Sequence, residues 1–399
     1  MFWENRLDHW VNQVRDQAAL PLRLELWNGR RFDFSQSPQV TIRVPQASSL
    51  AYLLRPSLSN LGTAYVEGKL DIEGSASQII DVGSALARRT LQPIGKLGRF
   101  ARHFHHTRKV DAEAIRYHYD VSNDFYRLWL DENMVYSCAY FENGDETLAQ
   151  AQLKKIDHIL TKIQLRPGQT LLDIGCGWGA LVMRAAQKFG ARCVGITLSE
   201  NQHALASERV RNAGLSDRIE IRLQDYRDVS GSFDRITSVG MFEHVGLRHL
   251  EEYFASMRLL LADDGMALNH GITSTDADSG ETAYGGGEFI EKYVFPHGEL
   301  PHIGLVLKSM QESGMEALDV ENLRRHYART CDIWAASFEA NAERIHATID
   351  ERQFRIWRVY LAGCAYAFDN DWVSIYQVLC TKAGRPAEVL PRSRRYMYA

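Results

Sequence analysis

The stretch TLLDIGCGWGALV, residues 170–182, is an apolar run that ends in three glycines on alternate positions. The apolar residues up to Asp173 predict a buried strand, and those after Gly179 predict a helix. Glycines between a strand and a helix let backbone N–H groups approach a ligand closely, because they tolerate positive φ and have no side chain. The stretch therefore predicts a ligand-binding turn near the start of an α/β domain.

The spacing of the glycines, Gly175-x-Gly177-x-Gly179, restricts the ligand. It is neither the GxGxxG of dinucleotide-binding proteins nor the GxxxxGK[ST] of P-loops, and no lysine follows that would balance a triphosphate. The turn fits a ligand that has an adenosine but no phosphates. We therefore predict that it binds S-adenosylmethionine.

Polar residues follow the next predicted strands. Ligands of open α/β sheets bind at the carboxyl ends of the strands, and a group for the ribose is expected about 20 residues after the glycines. Thr197, Ser199 and Gln202 lie there in place of the usual acid. Further on, Asp225 could accept a hydrogen bond from the adenine amino group, and Tyr226 could lie against the ring. These clusters strengthen the prediction of a cofactor site.

The chain divides into three regions. From about residue 111 to 399, strand-like runs alternate with helix-like segments, which predicts a parallel, doubly wound sheet. Residues 1–83 alternate apolar and polar positions around breakers such as Asn28-Gly29, which predicts a small α+β domain with hairpins. Residues 84–110 contain seven Lys/Arg and no acid. We interpret them as a basic linker or a membrane-contact segment.

Composition excludes several classes of protein. At 399 residues with a net charge of −4, the chain lacks the basic footprint of a general nucleic-acid-binding protein. Its six cysteines form no CxxC pair and no Cys/His ligand spacing, so we expect reduced thiols and no metal site. Glu4 and Asp8 interrupt the start where a signal peptide would be apolar, and no apolar run of about 18 residues occurs. We expect a cytoplasmic protein.

Seven stretches between about residues 115 and 382 resemble, in order, the cyclopropane-fatty-acid synthase family, which includes the mycolic acid methyltransferases. They are RYHYDVSNDFYRLWLDENMVYSCAYF, LLDIGCGWG, GITLSENQ, QDYRD, SVGMFEHVG, EKYVFPHGELPH and YLAGCAYAFDN. The resemblance implies a Rossmann-like S-adenosylmethionine-dependent methyltransferase domain that transfers a methylene group to the cis double bond of an unsaturated phospholipid acyl chain. It also implies a homodimer that works at the bilayer surface, on the inner face of the membrane. Residues 1–83 resemble the extension of phospholipid-acting bacterial members.

The resemblance also implies roles for individual residues. The cofactor contacts would be Tyr136, Ser137, Asp173, Gly175, Gly177, Gly179, Thr197, Leu198, Ser199, Gln202 and Tyr226. A family member has Trp-Glu where this chain has Tyr226-Arg227, so Arg227 is not carried over as a ligand. A bicarbonate ion, acting as base, would be held by Cys138, Glu243, His270, Ile272 and Tyr327, and an older assignment of a catalytic cysteine falls on Cys364.

Other interpretations stay open at this level. Taken alone, Glu243 could be a surface residue, His270 a core histidine and Cys138 a packing residue. We expect Cys364 to pack, because neither an alkene nor a carbocation requires a thiolate. For the whole protein the alternatives are a lipid C-methyltransferase that leaves a methyl or methylene branch, a small-molecule N-methyltransferase, and a non-catalytic lipid-binding protein. The full set Cys138, Glu243, His270 and Tyr327 favours ring closure.

Overall fold

A computed structural model describes residues 2–17, 19–54, 56–90, 121–278, 286–296, 298–385 and 391–398. The predicted basic segment 84–110 lies outside these residues from position 91 onward. Its first residues, 84–90, continue the helix that begins at Ala76. This helix crosses the boundary predicted at residue 83, and the division into regions stays a prediction.

The N-terminal region forms a four-stranded sheet with helices. Its elements are α1 (Phe2–Gln17), β1 (Leu22–Leu26), β2 (Arg31–Asp33), β3 (Val40–Val44), α2 (Leu50–Leu54), α3 (Leu58–Val66), β4 (Asp71–Glu73) and α4 (Ala76–Thr90). The strand order is β2-β1-β3-β4, and β1 pairs antiparallel with β2. Gly29, at φ +82°, closes the tight turn between these two strands, as the Asn28-Gly29 pair predicts. The predicted α+β fold is confirmed.

A seven-stranded sheet forms the rest of the core. Its strands are β5 (Thr170–Ile174), β6 (Arg192–Thr197), β7 (Ile219–Leu223), β8 (Phe233–Val239), β9 (Leu261–Ser274), β10 (Met315–Asn322) and β11 (Val373–Lys382), in the order β10-β11-β9-β8-β5-β6-β7. Strands β5 to β9 are parallel to one another, as the alternation of strand-like and helix-like segments predicts. The sequence predicts a parallel sheet, and the structure differs at one edge, where β11 runs antiparallel to both β9 and β10.

Helices cover both faces of this sheet, which confirms the doubly wound α/β class. They are α5 (Asn123–Arg127), α6 (Leu148–Lys162), α7 (Ala180–Phe189), α8 (Glu200–Asn212), α9 (Leu250–Leu260), α10 (Gly286–Tyr293), α11 (Ile303–Glu312), α12 (Arg324–Ala340), α13 (Ala342–His346) and α14 (Glu351–Asp369). Helices α6, α7 and α8 bury apolar residues on one face, and α9 and α11 on the other. Within the described ranges, no helix has both the length and the apolar character needed to cross a bilayer.

The N-terminal region packs on α14 and α10. The Arg355 guanidinium donates to the Tyr65 carbonyl (2.9 Å), and Arg358 donates to the Tyr65 hydroxyl (3.0 Å). At Gly62 a Cβ atom would lie 2.7 Å from the Phe289 ring, so only glycine lets α3 approach α10 this closely. The two regions therefore share an interface beside the seven-stranded sheet.

Candidate active site

The glycine turn adopts the predicted conformation. Gly175, Gly177 and Gly179 have φ of +81°, +54° and +85°, values that favour glycine over any other residue. The N–H groups of Gly175 and Cys176 donate to the Ile196 carbonyl (3.0 and 2.9 Å), which ties the turn to β6. A Cβ atom on Gly177 would meet no atom within 4 Å, so the space above this residue is open to a ligand.

A pocket lies at the carboxyl ends of β5, β6 and β8, where the sheet topology places it. Nine of the twelve predicted cofactor residues line it: Tyr136, Ser137, Asp173, Gly175, Gly177, Thr197, Leu198, Gln202 and Tyr226. The pocket also contains residues that the motifs did not indicate, among them Lys155 and Ile156. Sequence positions from 134 to 244 thus converge on one concave site.

The other three predicted residues are not part of the pocket lining. Gly179 begins α7, and Ser199 begins α8, where its hydroxyl accepts from the Gln202 N–H (3.3 Å). The Asp225 carboxylate receives two hydrogen bonds from the Arg227 guanidinium (2.9 and 2.7 Å). Ser199 and Asp225 therefore hold local backbone and side-chain contacts next to lining residues, and their contact with a cofactor stays a prediction.

Burial changes the ionisation of two groups in the pocket. It raises the pKa of Asp173 to about 6, although the Thr237 hydroxyl donates to this carboxylate (2.7 Å) and opposes the shift. It lowers the pKa of Lys155 to about 8, and the Lys155 ammonium donates to the Ser137 hydroxyl oxygen (2.6 Å). Lys155 lies in the helical stretch AQLKKIDHI, which contains no known motif. Only the spacing of its apolar residues indicates which face of the helix is buried.

Glu243 lies beside β9, next to the pocket. The Ile272 N–H donates to its Oε1 atom (2.6 Å), while its buried Oε2 atom has no hydrogen-bond partner among the described residues. Burial raises the pKa of this carboxyl group to about 7. A Cβ atom on Gly271 would overlap the Phe242 ring, so the glycine lets the turn that carries Glu243 reach the strand. The structure thus brings Glu243 and Ile272 into contact, and excludes an exposed surface position for Glu243.

His270 precedes Ile272 by two residues on β9, so the two side chains lie on the same face of the strand. Its Nδ1 atom is 3.2 Å from the amide nitrogen of Gln377, the residue that faces it across the β9–β11 ladder. Its Nε2 atom is buried and has no partner within the part of the chain that the structure describes. Burial holds the pKa of His270 well below its usual range. The imidazole is therefore neutral, with one ring nitrogen left for a ligand.

The remaining predicted residues belong to an aromatic cluster next to the pocket. Cys138 and Tyr327 are buried in it, and Cys364 lies at its edge. Burial raises the pKa of both thiols, that of Cys364 to about 12, so they are protonated at neutral pH. The Tyr136 hydroxyl donates to that of Tyr360 (3.1 Å). Ring faces and neutral polar groups, rather than charges, surround this part of the site.

The fold is shared with an enzyme of known structure. The crystal structure of the mycolic acid cyclopropane synthase CmaA1, complexed with SAH and CTAB, superposes with a TM-score of 0.65 and 37% identity, over 68% of this chain and 98% of that one. The chain is thus a Rossmann-like S-adenosylmethionine-dependent methyltransferase.

Sequence comparison defines the family more narrowly. The family model described as mycolic acid cyclopropane synthetase matches residues 106–378, and the chain belongs to this family. A domain of unknown function (DUF7884) matches residues 9–93. A probable fatty acid methyltransferase from Pseudomonas putida is 46% identical over 95% of this chain and 96% of its own length. Cyclopropane mycolic acid synthase 1 from Mycobacterium tuberculosis is 38% identical over 67% of this chain and 96% of its own.

Proposed function

We propose that this enzyme transfers a methylene group from S-adenosylmethionine to the cis double bond of an unsaturated phospholipid acyl chain and closes a cyclopropane ring. The observation that carries the proposal is the pair of buried, unsatisfied polar atoms, Glu243 Oε2 and His270 Nε2, beside an aromatic wall. The names of the relatives, which are fatty acid and cyclopropane mycolic acid enzymes, support a lipid acceptor.

An alkene has no proton to lose before it attacks, so the enzyme must align its π electrons with the methyl donor in a dry pocket. S-adenosylmethionine supplies a methyl group on a positively charged sulfur. The attack places a positive charge on the acyl chain, and nearby ring faces, such as those of Tyr136, Tyr327 and Tyr360, stabilise it by about 0.5–2 kcal/mol each. A proton must then leave the added methyl group for the ring to close.

The chain offers a place for the base. We propose that Cys138, Glu243, His270, Ile272 and Tyr327 hold a bicarbonate ion, which would supply the proton acceptor. Support for this ion comes from the same two buried atoms, Glu243 Oε2 and His270 Nε2, which have no hydrogen-bond partner among the described residues. Because burial favours the neutral form of Glu243, its carboxyl group can donate a hydrogen bond to an anion instead of repelling it. The neutral His270 ring can donate to the same anion through Nε2, because its Nδ1 atom faces the Gln377 amide nitrogen. Activity in carbonate-depleted buffer should fall and should return on addition of bicarbonate.

A second product is compatible with the same pocket. The relative from Pseudomonas putida is named a probable fatty acid methyltransferase, without mention of a ring. If the carbocation lost its proton from a chain carbon, rather than from the new methyl group, the product would be a branched alkene of the same mass. The two products therefore differ in the presence of a double bond.

The test is mass spectrometry of phospholipid acyl chains after expression in a host that lacks the activity. Either product adds one CH₂, a gain of about 14 Da, as the transferred methyl replaces one proton. Mild hydrogenation should leave the cyclopropane unchanged, whereas a branched alkene would take up two hydrogens. No mass gain with folded, cofactor-binding protein would overturn the proposal.

We further propose that the enzyme is a homodimer that docks peripherally on the inner face of the membrane through its basic segment. The support is the sequence of residues 84–110, in which each cation near an anionic surface adds about 1 kcal/mol. Binding to anionic liposomes should fall steeply with salt. Reversal of Arg99, Arg102, Arg108 and Lys109 to glutamate should lower activity on vesicles and leave cofactor affinity unchanged. Equal activity on vesicles would contradict docking through this segment.

A further inference from the structure

Gln377 is a buried amide that faces His270 from the neighbouring strand. The two residues are direct partners in the antiparallel β9–β11 ladder, so their side chains lie next to each other on one face of the sheet. Both are almost wholly buried, Gln377 at 0% exposure and His270 at 1%. Burying a polar side chain is costly unless hydrogen bonds replace those made to water, so the purpose of this pair lies in the contact that it makes.

The backbone on both sides of His270 is fixed by the sheet. The Gly240 N–H donates to the His270 carbonyl (2.8 Å), which joins β9 to the turn that carries Glu243. On the other side, β11 keeps an unbroken register with β9 from Val373 to Cys380. The sheet therefore sets the place of the imidazole, and what remains to be decided is which ring nitrogen carries the proton.

The position of this proton matters because the ring is neutral. Burial holds the pKa of His270 well below its usual range, and the positive charges of Lys155 and Lys162 act in the same direction. Glu321 opposes them, but its carboxylate is engaged by His158 and Lys162. A neutral imidazole has one donor and one acceptor nitrogen. The group that faces one nitrogen thus decides what the other nitrogen can do.

The direction of the contact follows from counting donors and acceptors. The Gln377 amide nitrogen lies 3.2 Å from His270 Nδ1, and an amide nitrogen can only donate. This orientation uses one of the two amide N–H groups and leaves the Oε1 atom without a partner among the described residues. The reverse orientation would leave both N–H groups unpaired, and unpaired buried N–H groups are rarer than unpaired carbonyl oxygens. Nδ1 of His270 therefore accepts.

We propose that Gln377 is a positioning residue that holds His270 in the tautomer with its proton on Nε2. The Nε2–H group is then a buried donor without a partner in the described ranges, on the same face of β9 as Ile272, whose N–H group contacts Glu243. This role rests on the proposed function, in which His270 holds the anion that accepts the proton. In the other tautomer Nε2 would present a lone pair, which repels an anion.

Nuclear magnetic resonance of the histidine rings tests the tautomer directly. The full-length protein, labelled with the heavy isotope of nitrogen at histidine, is measured without lipid in carbonate-depleted buffer, where protonated and unprotonated ring nitrogens give separate signals. A His270→Gln variant identifies the signals of His270. We expect the proton on Nε2 in the wild type. Gln377→Met, which has a side chain of similar length but no donor, should populate both tautomers.

Turnover then shows whether the tautomer matters for the reaction. Gln377→Met should lower kcat about three- to tenfold, the value of one neutral hydrogen bond, because only part of the protein then has a donor at Nε2. KM and the affinity for S-adenosylhomocysteine should stay unchanged, since the variant leaves both binding surfaces in place.

Thr381→Val is the matched control on the same strand. Thr381 is also buried, its hydroxyl donates to the Gly265 carbonyl (2.7 Å), and it lies outside the pocket lining. The variant removes one buried hydrogen bond from β11 and should lose stability, as Gln377→Met does. It should keep both the wild-type tautomer of His270 and the wild-type kcat.

Four results would overturn the proposal. A proton on Nδ1 in the wild type would show that Gln377 accepts, and an unchanged tautomer in Gln377→Met would show that another group fixes the ring. Equal kcat losses in Gln377→Met and Thr381→Val would reduce Gln377 to a structural role. A changed tautomer with unchanged kcat would show that the Nε2 proton takes no part. If Gln377→Met does not fold, Gln377→Leu replaces it, and the wild-type tautomer is measured in either case.

Failure of the proposed function has a different signature. Bicarbonate added to the wild type should shift the Nε2 signal of His270. If the proton is on Nε2 and moves in Gln377→Met, but bicarbonate leaves the signal unchanged, the ion is contradicted while the hold of Gln377 on the tautomer is supported. The tautomer is read without lipid, so it is also independent of whether a ring is formed.

Discussion

The glycine turn at residues 173–179 and the acceptor side around Glu243 and His270 are neighbours that are built differently. The turn is one contiguous stretch of backbone whose conformation only glycine adopts easily. The acceptor side is assembled from side chains on segments far apart in the chain, such as Cys138, His270 and Tyr327. The turn should therefore be sensitive to any added Cβ atom, whereas the acceptor side should be sensitive to the chemistry of single functional groups.

The largest effect is expected at the turn. Gly177→Val should abolish S-adenosylmethionine binding, because its side chain would fill the open space above the turn and because φ +54° strains a β-branched residue. Calorimetry with the folded variant measures the effect.

Gly214→Val separates the two causes. Gly214 has φ +67°, open space around it and no part in the pocket lining, so the variant has the strain without the steric conflict. It should lose stability and keep cofactor affinity. Unchanged affinity in a folded Gly177→Val variant would remove the turn from the cofactor site.

The second-largest effect is expected on turnover, for a substitution of Glu243 on the acceptor side. Glu243→Gln should lower kcat by about 10²–10⁴, the range for loss of a group that takes part in proton transfer, because the amide cannot exchange a proton with the proposed bicarbonate ion. Cofactor affinity should stay nearly unchanged. The amide oxygen can still accept from the Ile272 N–H, so the geometry is retained. Glu146→Gln is the matched control, because Glu146 also accepts from backbone N–H groups (2.8 and 3.0 Å) but lies outside the pocket lining. Equal kcat losses in the two variants would indicate a general loss of structure.

The same contrast explains what the sequence could predict. The strand–turn–helix unit and strands β5 to β9 are local features, and they were predicted correctly. Nine of the predicted cofactor residues line the pocket, and their contact with a cofactor stays a prediction. The pairing of His270 with Gln377 joins residues 107 positions apart, through the register of an antiparallel strand that strand–helix alternation does not indicate. Lys155 carries no motif, and its place in the pocket lining depends on which residues lie opposite one face of a helix. Contacts between side chains that are far apart in the sequence can be identified only once the fold is known.

The third effect is on stability and depends on pH. Burial raises the pKa of Glu243 from 4.5 to about 7, so the folded protein holds this proton more tightly than the unfolded chain does. The stabilisation from the neutral carboxyl group is fully present below pH 4.5 and is lost as pH rises through about 7. Between pH 5 and 8 this group alone should remove about 2–3 kcal/mol from the free energy of unfolding.

Glu243→Gln cannot lose a proton and should lack this dependence. Both proteins are unfolded with urea in carbonate-depleted buffer at pH 5 and at pH 8. The difference in free energy of unfolding between variant and wild type should shift by about 2–3 kcal/mol in favour of the variant over this range. Parallel pH profiles would mean that the carboxyl group is solvated and ionised in the folded state.

The smallest effect is expected at Cys364. Because burial raises the pKa of its thiol to about 12, it is neither a base nor a nucleophile at neutral pH, and the proposed reaction needs no covalent intermediate. Cys364→Ser should keep kcat within about threefold and lose about 1 kcal/mol of stability from packing. Cys380→Ser, which alters a buried thiol on β11 outside the pocket lining, measures the cost of a buried hydroxyl alone. A Cys364→Ser variant as stable as Cys380→Ser but inactive would show that a thiol takes part on the acceptor side, in addition to the neutral polar groups proposed there.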